Sequence, residues 1–566
     1  MRLSGALLLA AIGCGGGHMV TDAGPSDDAG GPPVVDAVAD AADGETAPPA
    51  ITCAAPDEAP FALSNLEYNL TVRDLLGDLS APGNGFPPDQ TLVGFRAGVP
   101  LSPDRIAAFT QAADALAQAA TVQRLASVLP CDPKIAGEEA CAQQFIVAFG
   151  ARAYRRPLIA GEISALHDVY AAGRQTGDFA AGIAAVIAEA LKSPHFYQLE
   201  VDQTPGRPAL LTGYEMASRL SYFLYRSMPD DALFAAAQDG QLATAGQVAA
   251  QVPRLLANDK SSDAVNAFFE QWLNLDGLDT LAAAPAVSAD DAALYTAMKI
   301  ETATFAQSIF FSRHPWTNFL TSNQTWLNES LADLYGVPDI VGPEFRAAAV
   351  AADARAGFVT QGSLLVLTST GPATLPTQRA GYLAEKFLCA SRLLIPVGHS
   401  DELLPNAGES RRQALARVTA VADCSSCHQP LDPLGWPLER FDVMGRARST
   451  DDSGAPIDPS AVISANLLDT TGNPTAVNDA VALAGALAQS TAVADCLGQT
   501  LFRFAVRRPP QELGSLTAQC RPDGLTPGTT KDSDFEQLIV ALVTSDDFRS
   551  VGGCLPCAVS SGGSAQ

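Results

Sequence analysis

Basic residues are scarce in this chain: 35 Lys and Arg stand against 62 Asp and Glu, a formal charge of −27 over 566 residues. Phosphate binding draws its affinity from clustered Lys and Arg, so this balance argues against a nucleic-acid partner. Long apolar runs are also missing, and no stretch reaches the roughly 20 residues that a spanning helix needs. His and Met number only six each, which leaves few side chains able to ligate iron. No Ser-His-Asp, paired-carboxylate or phosphate-loop constellation stands out, so the sequence names no catalytic residue.

The scarcity of positive charge is sharpest at the start, with neither Lys nor Arg between Arg2 and Arg73. Arg2 precedes a short apolar run, Leu3 to Ile12, that closes in Ala11-Ile12-Gly13-Cys14. This reads as an export signal ending in a lipobox, with Cys14 as the lipid anchor; an ordinary secretory signal is the alternative. The expected location is the periplasmic or cell-surface face of a bacterial membrane, with membrane lipid as a partner through acylated Cys14. Residues 15–57 are rich in Asp, Ala, Gly and Pro and cannot bury enough apolar surface to offset ordering, so they read as an acidic tether. About 40 such residues reach roughly 35 Å.

Beyond the tether the chain reads as mainly α. Ser64-Asn65-Leu66-Glu67 is a capping box, with Leu63 and Tyr68 placed as a staple and Gly77 as the stop. Leu66, Leu70 and Leu75/Leu76 form the expected apolar face. Ser102-Pro103-Asp104 opens a second helix, with Ile106, Phe109, Leu116 and Ala120 at helical spacing. Further helical segments are predicted near 138–156, 178–192, 213–226, 262–274, 290–312, 376–390, 409–422, 483–506 and 534–548. Strand-like alternation is confined to Phe358–Leu367. The expected organisation is a signal (1–14), a tether (15–57), helical modules at 58–130 and 131–192, and a central helical domain at 193–345. A haem module at 346–460 and a C-terminal helical module with its tail at 461–566 complete the multi-domain helical body.

Of the 11 cysteines, setting aside Cys14, Cys424 and Cys427 leaves an even eight, which suits disulfides in an exported protein. Cys131 and Cys141, flanking a short loop, are the favoured pair. Cys554-Leu-Pro-Cys557 has no βαβ pattern before it and reads as structural. Two segments echo each other, Cys141 through Arg155-Arg156-Pro157 and Cys496 through Arg507-Arg508-Pro509. Both look like helices ended by cations and proline.

The chemistry is concentrated in Cys424-Ser425-Ser426-Cys427-His428. Two thiols at i and i+3 can each add to a haem vinyl group, and the next imidazole then becomes an axial ligand. Composition alone would produce about 0.002 such patterns in a chain of this make-up. A local disulfide and a zinc site are the alternatives, although no second close Cys/His pair stands nearby to complete a tetrahedral zinc set. The pattern therefore calls for one covalent haem c, with Cys424, Cys427 and His428 binding it and His428 as proximal iron ligand. For the distal position the candidates are Met444, the one Met after His428, and His399 in a loop before it. His195, His314, Met228 and Met298 are more remote.

The stretch from Cys424 through Pro430-Leu431-Asp432-Pro433-Leu434-Gly435 to Glu439-Arg440-Phe441-Asp442, then Gly445-Arg446, resembles the haem-motif module of a family of exported multi-module proteins. These are cytochrome-c-like proteins of serial domains of unknown function, found mainly in planctomycete and myxobacterial genomes. Glu67-Tyr68-Asn69 with Val72 to Gly77, Ala153 to Leu158, Ser193 to Phe196, Ser218 to Leu224, Asn328 to Ala332, Cys496 to Arg508 and Asp547-Phe548-Arg549 resemble its other modules. The likeness covers about residues 60–550 and departs at Leu431 and at Arg507-Arg508, where Gly-Arg is expected. It implies the module order and the haem but no activity. Three functions follow as expectations: electron transfer with an unidentified redox partner, a haem-dependent oxidoreductase acting on an extracellular substrate, or a surface-binding protein with a structural haem.

Overall fold

The computed structural model describes residues 61–98, 101–199, 210–370, 373–390, 405–406, 408–420, 422–468, 473–507 and 530–550. Cys14, the tether and Cys554/Cys557 lie outside these residues. The architecture is mainly α, with strands only in short two-stranded antiparallel pairs among the described residues.

The first helix, Asn65–Leu76, is built as its caps dictate. Ser64 and Glu67 form the complete capping box, and Gly77 ends the helix in the left-handed region at φ 67°. Leu63 and Tyr68 are buried as a staple requires. The inner face is rotated from the expected one: Leu66 is exposed, while Glu67 is buried beside Leu70 and Leu76. Glu67 can turn inward because its carboxylate meets Arg226 and Arg507 there. In Pro103–Gln123, capped by Ser102, Phe109, Leu116 and Ala120 face the core, but Ile106 faces solvent.

Two expectations change. Phe358–Leu367 is not a strand but a 3-10 turn, Phe358–Thr360, followed by a helix, Gly362–Leu367. The segment is buried on nearly all sides, so its apolar residues carry no readable period. Gly362 makes room for it, because a Cβ there would crowd the Met298 side chain. The single helix expected over 483–506 is two, Ala480–Gln489 and Thr491–Val506, bent by 71°. Ser490 makes the break by accepting the Val493 N–H as an N-cap.

Buried apolar side chains gather into several cores among the described residues. One core runs from Leu63, Tyr68 and Phe109 through Phe145, Ile183 and Phe196 to Tyr222. A larger core collects Phe95, Phe269, Leu431, Leu438, Phe504 and Phe548, joining segments far apart in sequence. A smaller one gathers Leu278, Leu294, Met298 and Leu331, with Met444 against it. The C-terminal end returns to the central domain: Leu211 N–H donates to the Arg549 carbonyl at 2.9 Å, and Arg219 holds the Phe548 and Ser550 carbonyls.

Two disulfides are present among the described residues. Cys131–Cys141 is the pair favoured from sequence. Cys389–Cys496 fastens the end of the Pro376–Phe387 helix to Thr491–Val506.

Candidate functional site

Positions 424, 427 and 428 lie on the helix Ala422–Leu431. Pro430 and Pro433 lack the N–H needed to carry it on, and the chain tightens into 3-10 turns at Asp432–Leu434 and Trp436–Arg440. At helical spacing, positions 424, 427 and 428 share one face. The Cys424 and Cys427 thiols lie outside the described atoms, and so does His399.

His428 is held through Nδ1. Asp432, one helical turn on, places Oδ2 at 3.1 Å and Oδ1 at 3.2 Å from it, and the two side chains are 16% and 8% exposed. The Asp432 hydrogen bond raises the His428 pKa above its ordinary value, outweighing burial. Thr377 Oγ1 donates to Asp432 Oδ1 at 2.7 Å, fixing the carboxylate from a different helix.

That helix, Pro376–Phe387, is the scaffold of the site. Its first turn reaches Asp432 because Gly435 has no side chain; a Cβ there would collide with the Pro376 carbonyl. One turn along, Arg379 is wholly buried and gathers the following loop: it donates to the Leu438 carbonyl, to Glu439 at 3.1 Å, and to the Phe441 and Asp442 carbonyls at 2.9 and 3.0 Å. Glu439 also accepts from Thr374 and Arg448, so the buried carboxylate is partnered from three side chains. Sequence reasoning placed a helix here and missed Thr377, Arg379 and Asp432 as supports. Only Asp432 carried a local signal, an acid at i+4 from His428.

Met444, a distal candidate, has its sulfur 3.8 Å from the Tyr295 hydroxyl and packs against the small core of Leu294 and Met298. Met298 and Met228 are buried apolar residues. His195 lies beside Tyr154 and Glu162, and His314 is exposed on a turn.

A second polar cluster, unseen in the sequence, is centred on Glu301 and reaches Phe441 and Gly445 through Arg355. Glu301 is fully buried, and burial pushes its pKa up to about 7. Its two oxygens accept from Thr325 Oγ1 and Tyr335 Oη, both at 2.7 Å. Arg355 stacks over Tyr335 and Phe441 and donates to the Thr360 and Gly445 carbonyls, linking the cluster to the loop that carries Met444. A small cavity is lined by Glu301, Thr325, Tyr335, Arg355 and Gln361. Elsewhere Glu270, Asp276 and Asp279 converge, but the Lys299 ammonium already stands among them at 2.6, 3.4 and 2.6 Å.

These features define a helical multi-module protein whose most chemically loaded segment follows the Pro376–Phe387 helix. Four stretches match family models, each described as a protein of unknown function. Residues 62–122 match PSD3 (DUF1587), 141–199 match PSD5 (DUF1595), 211–337 match PSD4 (DUF1592) and 355–451 match PSCyt3 (DUF1588). The chain thus carries a multi-module arrangement of domains of unknown function. No curated protein and no solved structure matches it.

Proposed function

We propose that the chain is an exported monohaem c-type cytochrome-like lipoprotein that transfers electrons. One observation carries the reading: the Cys424/Cys427/His428 set lies on a single helix whose imidazole is anchored through Nδ1. With the Nδ1 proton donated to Asp432, Nε2 keeps its lone pair for a metal. Each thiol S–H would add across one vinyl C=C, leaving two thioethers and a His ligand from the same backbone turn. Haem bound there would supply one-electron redox chemistry. The cytochrome-like name of the PSCyt3 family matched over 355–451 supports the reading. Export and acylation at Cys14 would place the protein on a membrane face, with an unidentified redox protein as partner.

The test is expression of the full chain with a haem-attachment system. A denaturation-resistant haem with a pyridine-haemochrome spectrum is expected, and it should vanish in the Cys424→Ala, Cys427→Ala variant. Covalent haem persisting in that variant would overturn the assignment. Cys14→Ala should move the protein from the membrane to the soluble fraction.

A second reading, a haem-dependent oxidoreductase acting on an extracellular substrate, is favoured by the engagement of the Met444 sulfur with Tyr295. Ready carbon monoxide binding by the reduced protein would select it. A six-coordinate, unreactive spectrum would select electron transfer.

A further inference from the structure

We infer that Asp432, clamped by Thr377, is the positioning residue that orients and polarises the proximal imidazole of His428; this rests on the haem reading above. An acid four residues after a His is ordinary on a helix surface, where such a pair contributes only tenths of a kcal/mol. Three observations set this pair apart. Both side chains are nearly withdrawn from solvent, where a carboxylate has to be fully partnered. Its described side-chain partners are His428 Nδ1 and Thr377 Oγ1, one from its own chain segment and one from the Pro376–Phe387 helix. The clamp is also built into the packing, since a side chain at Gly435 would collide with Pro376, the residue before Thr377.

The chemical consequence follows from the charge. A ring N–H donated to a carboxylate gives the imidazole partial anionic character and makes Nε2 a stronger donor. A stronger, more negative ligand favours ferric over ferrous iron, so with haem bound the pair would hold the reduction potential down. Asp432 would act on a bound haem through His428, the side chain that its carboxylate meets. Thr377 acts one step further out by fixing the direction of the carboxylate.

The experiment compares haem-loaded full-length wild type with Asp432→Asn and Thr377→Val. Each is measured for covalent haem by pyridine haemochrome, for the ferrous-to-ferric ratio across a redox titration, and for the iron–histidine stretching band. Asp432→Asn keeps the shape and removes the charge. It should raise the ferrous-to-ferric ratio about tenfold at a fixed poise, equivalent to about 59 mV for one electron, and move the band to lower frequency. Thr377→Val should shift both in the same direction by less. A purely structural Asp432 would change melting but neither redox readout, and haem loaded in all variants with unmoved ratio and band overturns the inference alone. Should Asp432→Asn fail to fold, Thr377→Val decides by the same two readouts. Absence of covalent haem in the wild type overturns the haem reading, and this inference with it.

Discussion

Oε1 of Glu67 stands 3.1 Å from Nη2 of Arg226, with the two side chains 0% and 2% exposed. The same oxygen takes an ion pair from Arg507, which is also buried. One carboxylate from the first helix therefore joins the end of Gly213–Leu224 to the end of Thr491–Val506. Burial lowers the pKa of each guanidinium to about 10, and Arg226 rests over the Phe504 ring at 4.6 Å. Arg507 adopts φ 57°, a conformation that glycine accepts more easily, and its guanidinium is what ties that helix end to Glu67.

Removing the shared acid should be severe. Glu67→Ala leaves two buried cations without their counter-charge and empties the capping box, and is expected to cost about 3–5 kcal/mol. Denaturant titration of the intact chain measures it. A loss below about 1 kcal/mol would mean that the arginines find other partners.

Stability should fall as pH rises through neutrality because of Glu301. Its folded pKa, about 7, lies above the ordinary value of 4.5. Between those values the folded state holds a proton that the unfolded state has lost, so unfolding becomes easier as pH increases. The contribution is complete below about pH 4.5 and gone above about pH 7, with an upper size of about 3 kcal/mol. Glu301→Gln should flatten this part of the stability–pH curve and raise the melting temperature at pH 8. An unchanged slope would show that the group titrates normally.

Gly435→Ala should disturb the candidate site without touching any of its polar groups. The added methyl must push the Pro376 carbonyl away, at about 1–3 kcal/mol. Thr377 would move off Asp432 with it. Circular dichroism melts, together with the Nδ1 chemical shift of His428 in the haem-free chain, report both effects. A wild-type shift alongside a lowered melting point would separate packing from the clamp.

The two disulfides should differ in worth. Cys131–Cys141 closes a separation of 10 residues and Cys389–Cys496 one of 107. Loop-closure entropy gives about 3 and about 5 kcal/mol respectively. Paired Cys→Ala replacements followed by denaturant unfolding should rank them in that order, and the reverse order would point to residual structure in the unfolded chain.

Local features of this fold were legible in the sequence because they depend on neighbours. The Ser64/Glu67 box, the Gly77 stop, the Ser102 cap and the short Cys131–Cys141 loop are all set within a few residues. The Cys424-to-His428 set is likewise local. What escaped is non-local: the sequence separation of Glu67 and Arg507 is 440 residues, and Thr377 meets Asp432 only after two helices dock. Leu66 and Ile106 were misplaced because periodicity finds the apolar side of a helix but not its edges. Phe358–Leu367 misled for the opposite reason, since a segment buried all round has no polar side to mark a period.

The large core has one more consequence. Leu431 and Leu438 complete packing begun by Phe269 and finished by Phe504 and Phe548. The stretch matched at 355–451 thus shares its apolar core with segments on either side of it. Cut out alone, it would present to water the apolar face that Phe269, Phe504 and Phe548 cover in the assembled body.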